Sequence, residues 1–255
     1  MKRAAWKATA LMAVVLALFS AASAEDKTFI NRIFFDDFAD LGRTIEENPG
    51  QSLIITGSTL LAGAIIMAND SKIAGAMKQR NDFNNTLFDT ANYFGDGVYM
   101  LAANSFLFLG GQREKKAAQL VVESILVSGA IEQVLKTGIG RVRPSDTSDP
   151  YRFTPFSFSN QSMPSGHSAV AFSWATILGD TYNIGWLTYP AAGLVAWARV
   201  YKSAHWPSDV LIGSVIGTVT AKILKASRDR EDENVQAEVK FSGLDTPCLG
   251  VSIRL

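Results

Sequence analysis

With 255 residues, 47% of them hydrophobic and 24 basic side chains against 24 acidic ones, the chain can build one well-cored domain and does not have the composition of a disordered one. A formal net charge of +0 excludes broad nucleic-acid binding, which needs a basic surface to displace counterions. The single cysteine, Cys248, excludes an internal disulfide and any cysteine-built metal site, and no zinc-finger, Walker or Rossmann spacing occurs.

The chain opens on Lys2, Arg3 and Lys7, runs apolar from Ala8 to Ser20, and offers Ala22-Ser23-Ala24 ahead of Glu25 and Asp26. This is the pattern of a secretory signal peptide over residues 1–24, and it predicts export to a bacterial-type periplasm or cell envelope. Residues 25–52 mix Phe29, Ile30, Ile33, Phe34, Phe35 and Phe38 with acids, as an amphipathic segment in contact with a membrane surface would. Apolar stretches follow near 53–68, 97–110, 117–135, 168–179, 185–200 and 209–224. Each is bounded by Gly, Pro, Asn or charged residues, and most are too long for strands. They predict an all-α, six-helix bundle over 53–226. Residues 227–255 begin with a charged run, Arg228 to Glu233. The tail then alternates Val235, Ala237, Val239 and Phe241, and later Val251, Ile253 and Leu255, which predicts a short closing β-hairpin.

A membrane span needs about 20 apolar residues. The runs here are shorter, and the longest carries Glu123 and Glu132. With a cleaved leader and six spans, the loops after the third and fifth helices would be cytoplasmic. Arg113, Lys115 and Lys116 would then face outward, against the positive-inside tendency. The sequence therefore favours a soluble or membrane-touching bundle, with an integral membrane protein as the alternative.

The chemistry centres on the only two histidines, His167 and His205. Pro164-Ser165-Gly166-His167 stands directly before an apolar run, and a proline at the first helical position places the next amides among the unpaired donors of a helix start. Such a terminus attracts anions, and Gly166 lets one approach the backbone. In His205-Trp206-Pro207-Ser208-Asp209 the pattern repeats, with Asp209 in a first turn from which it can reach back to the His205 ring and fix its tautomer. Three cations accompany them: Arg199 at the end of the fifth helix, and Lys136 and Arg143 around the loop after the third. Lys136 also has a plain partner in Glu132, one turn earlier. Helix counting places all of these at one end of an antiparallel bundle, where cations and helix amides together suit a tetrahedral oxyanion.

Lys136-x6-Arg143-Pro144, Pro164-Ser165-Gly166-His167 and Arg199-x5-His205-x3-Asp209 together resemble the three-part signature of the type 2 phosphatidic acid phosphatase (PAP2) and vanadium haloperoxidase superfamily, in spacing and in order, across about residues 53–226. Ala198 departs from the Ser or Thr usual before the third-motif arginine. The resemblance implies a phosphoric ester hydrolase in which His205 attacks phosphorus, Asp209 orients it, and His167 protonates the leaving oxygen and then activates water. Lys136, Arg143, Arg199 and the amides of Ser165 and Gly166 would hold the phosphoryl oxygens, with no metal and no cofactor. The expected substrate is a phosphorylated lipid or a small phosphate ester, and Tyr151, Phe153, Phe156 and Phe158 in the loop beside the site suit either an acyl chain or simple packing. A vanadate-dependent haloperoxidase is the second reading and a non-catalytic envelope scaffold the third; hydrolysis of a chromogenic ester separates them.

Overall fold

A computed structural model describes residues 31–77 and 81–242. After a π-helical turn at Arg32–Asp36 come α1 (Asp37–Glu47), α2 (Pro49–Met67), α3 (Asp70–Met77), α4 (Asp82–Tyr93) and α5 (Gly97–Asn104), the last continued by a 3₁₀ turn at Ser105–Leu109. Then follow α6 (Gln112–Ile139), α7 (Gly166–Tyr182), α8 (Gly185–Tyr201) and α9 (Pro207–Ser242). Among the described residues there is no strand, only an isolated bridge between Arg141 and Phe153.

The six predicted apolar runs fall on α2, α5 with its 3₁₀ turn, α6, α7, α8 and α9, but the described residues hold nine α-helices, so the six-helix count is corrected. The helices α1, α3 and α4 were not read from the sequence, because they are short and carry few consecutive apolar residues. At α4 the Asn81 side chain accepts from the Asn84 amide. The hairpin expectation fails for its first strand, since residues 235–242 continue α9. Its second strand and the leader lie outside the described residues.

Helix α7 is the centre of the bundle. Val121 and Ile125 from α6, Ile177 and Leu178 from α7, and Ala221 and Leu224 from α9 make one buried cluster. The α7–α9 crossing is close because two glycines of α9 face it. A Cβ on Gly213 would stand 2.3 Å from the Ser165 carbonyl oxygen, and one on Gly217 would stand 2.3 Å from that of Ala169. The Ser173 hydroxyl donates to the Gly217 carbonyl at 3.2 Å across the same seam. This small-residue spacing lets two helices approach at backbone distance and brings the Pro164–His167 and His205–Asp209 segments together.

Three helices are long and apolar enough to cross a membrane by length and composition: α2, α6 and the Pro207–Glu233 part of α9. This corrects the reading that every apolar run falls short. The polar residues that shorten the run in α2 do not oppose burial in lipid, because the hydroxyls of Ser58 and Thr59 bond back to the Ile55 carbonyl. Only Gly63 of α2 is buried, while Leu53, Ile54, Leu60, Leu61 and Ile65 are 58–72% exposed. The two acids that argued against a span in α6 both point inward: Glu132 faces Lys136 at 3.5 Å and Glu123 faces Arg228 at 3.2 Å.

Candidate active site

Three segments converge at the end of the bundle where α6 stops and α7 and α9 begin. α6 ends at Gly140, whose φ of 59° is left-handed. A Cβ there would meet the Thr154 carbonyl at 1.8 Å, so only glycine fits. The loop beyond is tied down by Thr154 N–H to the Gly140 carbonyl at 2.8 Å, Val142 N–H to the Arg152 carbonyl at 3.0 Å, and Ser162 N–H to the Arg141 carbonyl at 3.0 Å.

Helix α7 starts two residues later than the proline suggested, with Ser165 as N-cap and Gly166 as first helical residue. The Ser165 amide donates to the Asp209 carbonyl at 3.0 Å, which corrects the expectation that it faces an anion. The first intrahelical bond runs from the Ala169 amide to the Ser165 carbonyl. The amides of Gly166, His167 and Ser168 therefore precede the ladder and form the donor set. Gly166 is needed for a second reason: a Cβ there would stand 2.9 Å from Lys136 Nζ and 3.0 Å from Glu132 Oε2. Lys136 is thus held over the start of α7 by its neighbour Glu132.

His205 is buried, at 3% exposure. Its Nδ1 lies 2.6 Å from the Ser162 carbonyl; because a carbonyl only accepts, Nδ1 carries the proton and Nε2 keeps its lone pair. The expectation that Asp209 fixes this ring is corrected, since its Oδ2 is 3.9 Å from Nδ1. Asp209 instead accepts from the Trp206 amide at 2.9 Å, as a third-position acid does in a capping box. It also accepts from the Ser162 hydroxyl at 2.6 Å and from Arg141 at 2.6 Å. It positions Ser162, and Ser162 positions the histidine.

Arg141 was missed by the sequence reading, as was its second partner. The guanidinium is fully buried and donates to Asp209 and to Asp70 of α3 at 2.7 Å. It also donates to the Ser208 hydroxyl at 2.7 Å and the Pro150 carbonyl at 3.0 Å, and stacks between Phe153 and Trp206, each centroid 5.5 Å away. Asp70 also caps α9 by accepting the Ser208 amide at 2.9 Å. Arg141 lies inside the first motif at a position the motif leaves open, while Asp70 follows a turn with no local signal.

The three predicted cations act together on both histidines. Burial, then Arg199 and Arg143, hold the His205 imidazole well below its usual pKa, against the Ser162 bond. Burial, then Arg199, Lys136 and Arg143, push His167 down to about 3, with Asp96 opposing. Burial and Arg143 lower Arg199 itself to about 10. One Arg199 nitrogen donates to Asn92 of α4, while its buried Nε has no protein partner. Asn92 and Asp96 are further residues that the sequence did not single out. The site as built has two neutral imidazoles, His205 buried and His167 partly exposed, with three cations and a helix start, an arrangement that can bind a phosphoryl group and deliver a nitrogen nucleophile to it. Among the described residues, no group of three His, Cys, Asp or Glu side chains could hold a metal ion.

Residues 117–232 match the PAP2 superfamily. The lipid A 1-phosphatase of Rhizobium etli is 31% identical over 147 residues, 49% of this chain and 62% of that protein. An undecaprenyl-diphosphatase of Sulfolobus acidocaldarius is 30% identical over 114 residues, 44% of this chain and 55% of that one. The chain thus spans less than two thirds of these relatives. Two crystal structures share the fold. LpxE of Aquifex aeolicus aligns with a TM-score of 0.51 at 24% identity over 61% of this chain and 93% of that one. A transmembrane PAP2-type phosphatidylglycerolphosphate phosphatase from Bacillus subtilis aligns with a TM-score of 0.53 at 23% identity over 68% and 95%.

Proposed function

We propose that the protein, whose residues 117–232 match the PAP2 superfamily, is an integral membrane phosphatase that hydrolyses phosphate esters of lipids through a phosphohistidine. The observation that carries the reading is the His205 tautomer: Nδ1–H is held by the Ser162 carbonyl, leaving Nε2 as a neutral nucleophile inside a cluster of three cations. Nε2 attacks phosphorus and the bond to the ester oxygen breaks; His167, which takes up a proton when the anionic phosphate offsets the cations around it, passes that proton to the leaving alkoxide. Water then attacks the phosphohistidine, giving a proton to His167 and regenerating His205. Lys136, Arg143, Arg199 and the α7 amides hold the three equatorial oxygens, whose charge grows in the transition state. The named relatives act on lipid A and undecaprenyl diphosphate by their names, and lipid phosphates lead the substrate list for this chain.

The experiment is turnover by the full chain in nanodiscs of phosphatidate, a prenyl diphosphate, a lipid A phosphate and p-nitrophenyl phosphate side by side. Release of phosphate from at least one lipid, lost in His205→Ala, supports the reading; no release from any of the four overturns it.

The fold bears on sidedness. α1 sits at the end opposite the site, where Asp37 and Arg228 pair at 3.1 Å, and α2 runs from there to the site end. If α2 crosses the membrane, residues 37–48 and the site lie on opposite sides. A leader cleaved on the outer side is then incompatible with a site on that side. Arg113, Lys115 and Lys116 share the α1 end, and the positive-inside tendency places that end in the cytoplasm, with the site outside. Labelling of Ser145→Cys, but not Gln112→Cys, by a membrane-impermeant maleimide in intact cells is expected; the reverse pattern overturns this orientation.

A further inference from the structure

We infer that a groove between α4, α7 and α8 receives a hydrocarbon chain of the substrate and measures its length; this rests on the phosphatase reading above. The groove encloses about 380 Å³, within the range of small-molecule sites. Its walls are apolar, and the hydroxyls of its two threonines are turned away: Thr90 donates to the Thr86 carbonyl and Thr188 to the Ala175 carbonyl, each at 2.8 Å. The one exception is the buried Nε1–H of Trp174, which has no partner in the protein.

Its place identifies its occupant. The groove begins one helical turn from the site, and Gly95 packs between the two. A Cβ there would stand 2.5 Å from Val195, 2.9 Å from the His167 Cβ and 3.0 Å from the His167 carbonyl oxygen. Phe94 and Val195 line the groove directly beside this junction. On α7, Ala171 lines it one turn beyond His167; on α8, Val195 lines it one turn before Arg199. The two helices are antiparallel neighbours, so both carry the groove away from the site in one direction. Val195, Ala191, Thr188 and Ile184 stand at increasing depth from Arg199, at roughly 6, 12, 16 and 22 Å by helical rise. His167 is the group that meets the leaving oxygen, so the alcohol it releases emerges at the mouth. A chain attached to that alcohol would lie along the helix axes, the direction that lipid chains take beside a membrane bundle.

The test compares alkyl phosphates on the full chain in nanodiscs. In the wild type, kcat/KM for dodecyl phosphate should exceed that for butyl phosphate at least about tenfold, since each extra methylene is removed from water. Ala191→Trp, at an exposed position of the wall, closes the groove about 12 Å from Arg199 and should bring the dodecyl-to-butyl ratio down to within about threefold of unity, as the buried methylenes are lost. Leu60→Trp on the exposed face of α2 should leave the ratio at its wild-type value. Separately, 8-bromooctyl phosphate should quench Trp174, read as the difference between wild type and Trp174→Phe, whether or not turnover occurs. Quenching without turnover keeps the groove and sinks the phosphatase reading. Turnover with no chain-length dependence, or an unchanged ratio in Ala191→Trp, sinks the groove and keeps the phosphatase. Neither turnover nor quenching removes both.

Discussion

Asp209 stands 3.9 Å from the Nδ1 of His205, while the Ser162 carbonyl takes that N–H at 2.6 Å. The acid therefore acts on the histidine at one remove, by gripping the Ser162 hydroxyl. Ser162→Ala keeps the carbonyl and loses only the grip, and a fall in kcat of about tenfold is expected from one charge-assisted hydrogen bond. Asp209→Asn also disturbs Arg141 and the Trp206 amide and should cost more, about a hundredfold or above. Steady-state kinetics of the two variants check this, and equal, undiminished kcat values would remove Asp209 from the positioning chain.

The buried pair of Arg141 and Asp70 is expected to be a matter of stability more than of rate. Both side chains are at 0% exposure, and removing one partner leaves the other charged and buried. Asp70→Ala should destabilise by about 3–5 kcal/mol and also uncap α9 at Ser208. Thermal unfolding of the detergent-solubilised variants reads it; an unchanged midpoint would show that Asp209 alone satisfies the arginine.

Much of this site could be read in the sequence, for reasons that differ by residue. His167, His205, Lys136, Arg143 and Arg199 stood out because each is a charged or titratable group beside a helix end, and the structure gathers them. Arg141 and Asp70 did not, because their pairing spans 71 residues and nothing local distinguishes a buried ion pair from loop polarity. The two-residue offset at the start of α7 was hidden for a similar reason: the Ser165 amide is taken by a carbonyl of α9, a contact only tertiary packing creates. The α2 span was underread because Ser58 and Thr59 look polar in a hydropathy count, yet their hydroxyls are satisfied within the helix.

Two glycines should fail in different ways. Gly217→Ala sets a Cβ against backbone of α7, 2.3 Å from the Ala169 carbonyl oxygen, which cannot move aside without separating the helices. Loss of folded protein is expected. Gly166→Ala meets only the tips of Lys136 and Glu132, at 2.9 and 3.0 Å, and these can swing away. That variant should fold normally, with a thermal midpoint like the wild type, but with KM raised roughly tenfold through a displaced lysine. Size-exclusion profiles and kinetics separate the two outcomes; a folded, active Gly217→Ala would contradict the packing account.

The depressed histidines set the pH behaviour. His167, lowered to about 3, and His205, lowered well below 6.5, are neutral in the folded protein while the unfolded chain protonates at its ordinary value. Below pH 6.5 the unfolded state binds more protons, so their contribution to stability falls as the pH is lowered toward the folded values. Burial is the first cause of the His167 shift and the cations the second, so an anion in the site, by offsetting the cations, raises His167 toward protonation. Vanadate binding at pH 6.5 should therefore take up as much as about one proton, measured by calorimetry in buffers of different ionisation enthalpy. His167→Gln should abolish the uptake, and persistence of it in that variant would place the proton elsewhere.

The division of labour between the histidines is the central claim, and rapid quench with labelled p-nitrophenyl phosphate tests it most directly. This ester departs with little protonation, so loss of the acid hurts its first step least. His167→Ala should still load phosphate onto His205 and then release it slowly, so an acid-labile phosphoenzyme accumulates. His205→Ala should give none at any time. Labelled phosphate accumulating on His205→Ala, or appearing on His167 in the wild type, would contradict the account.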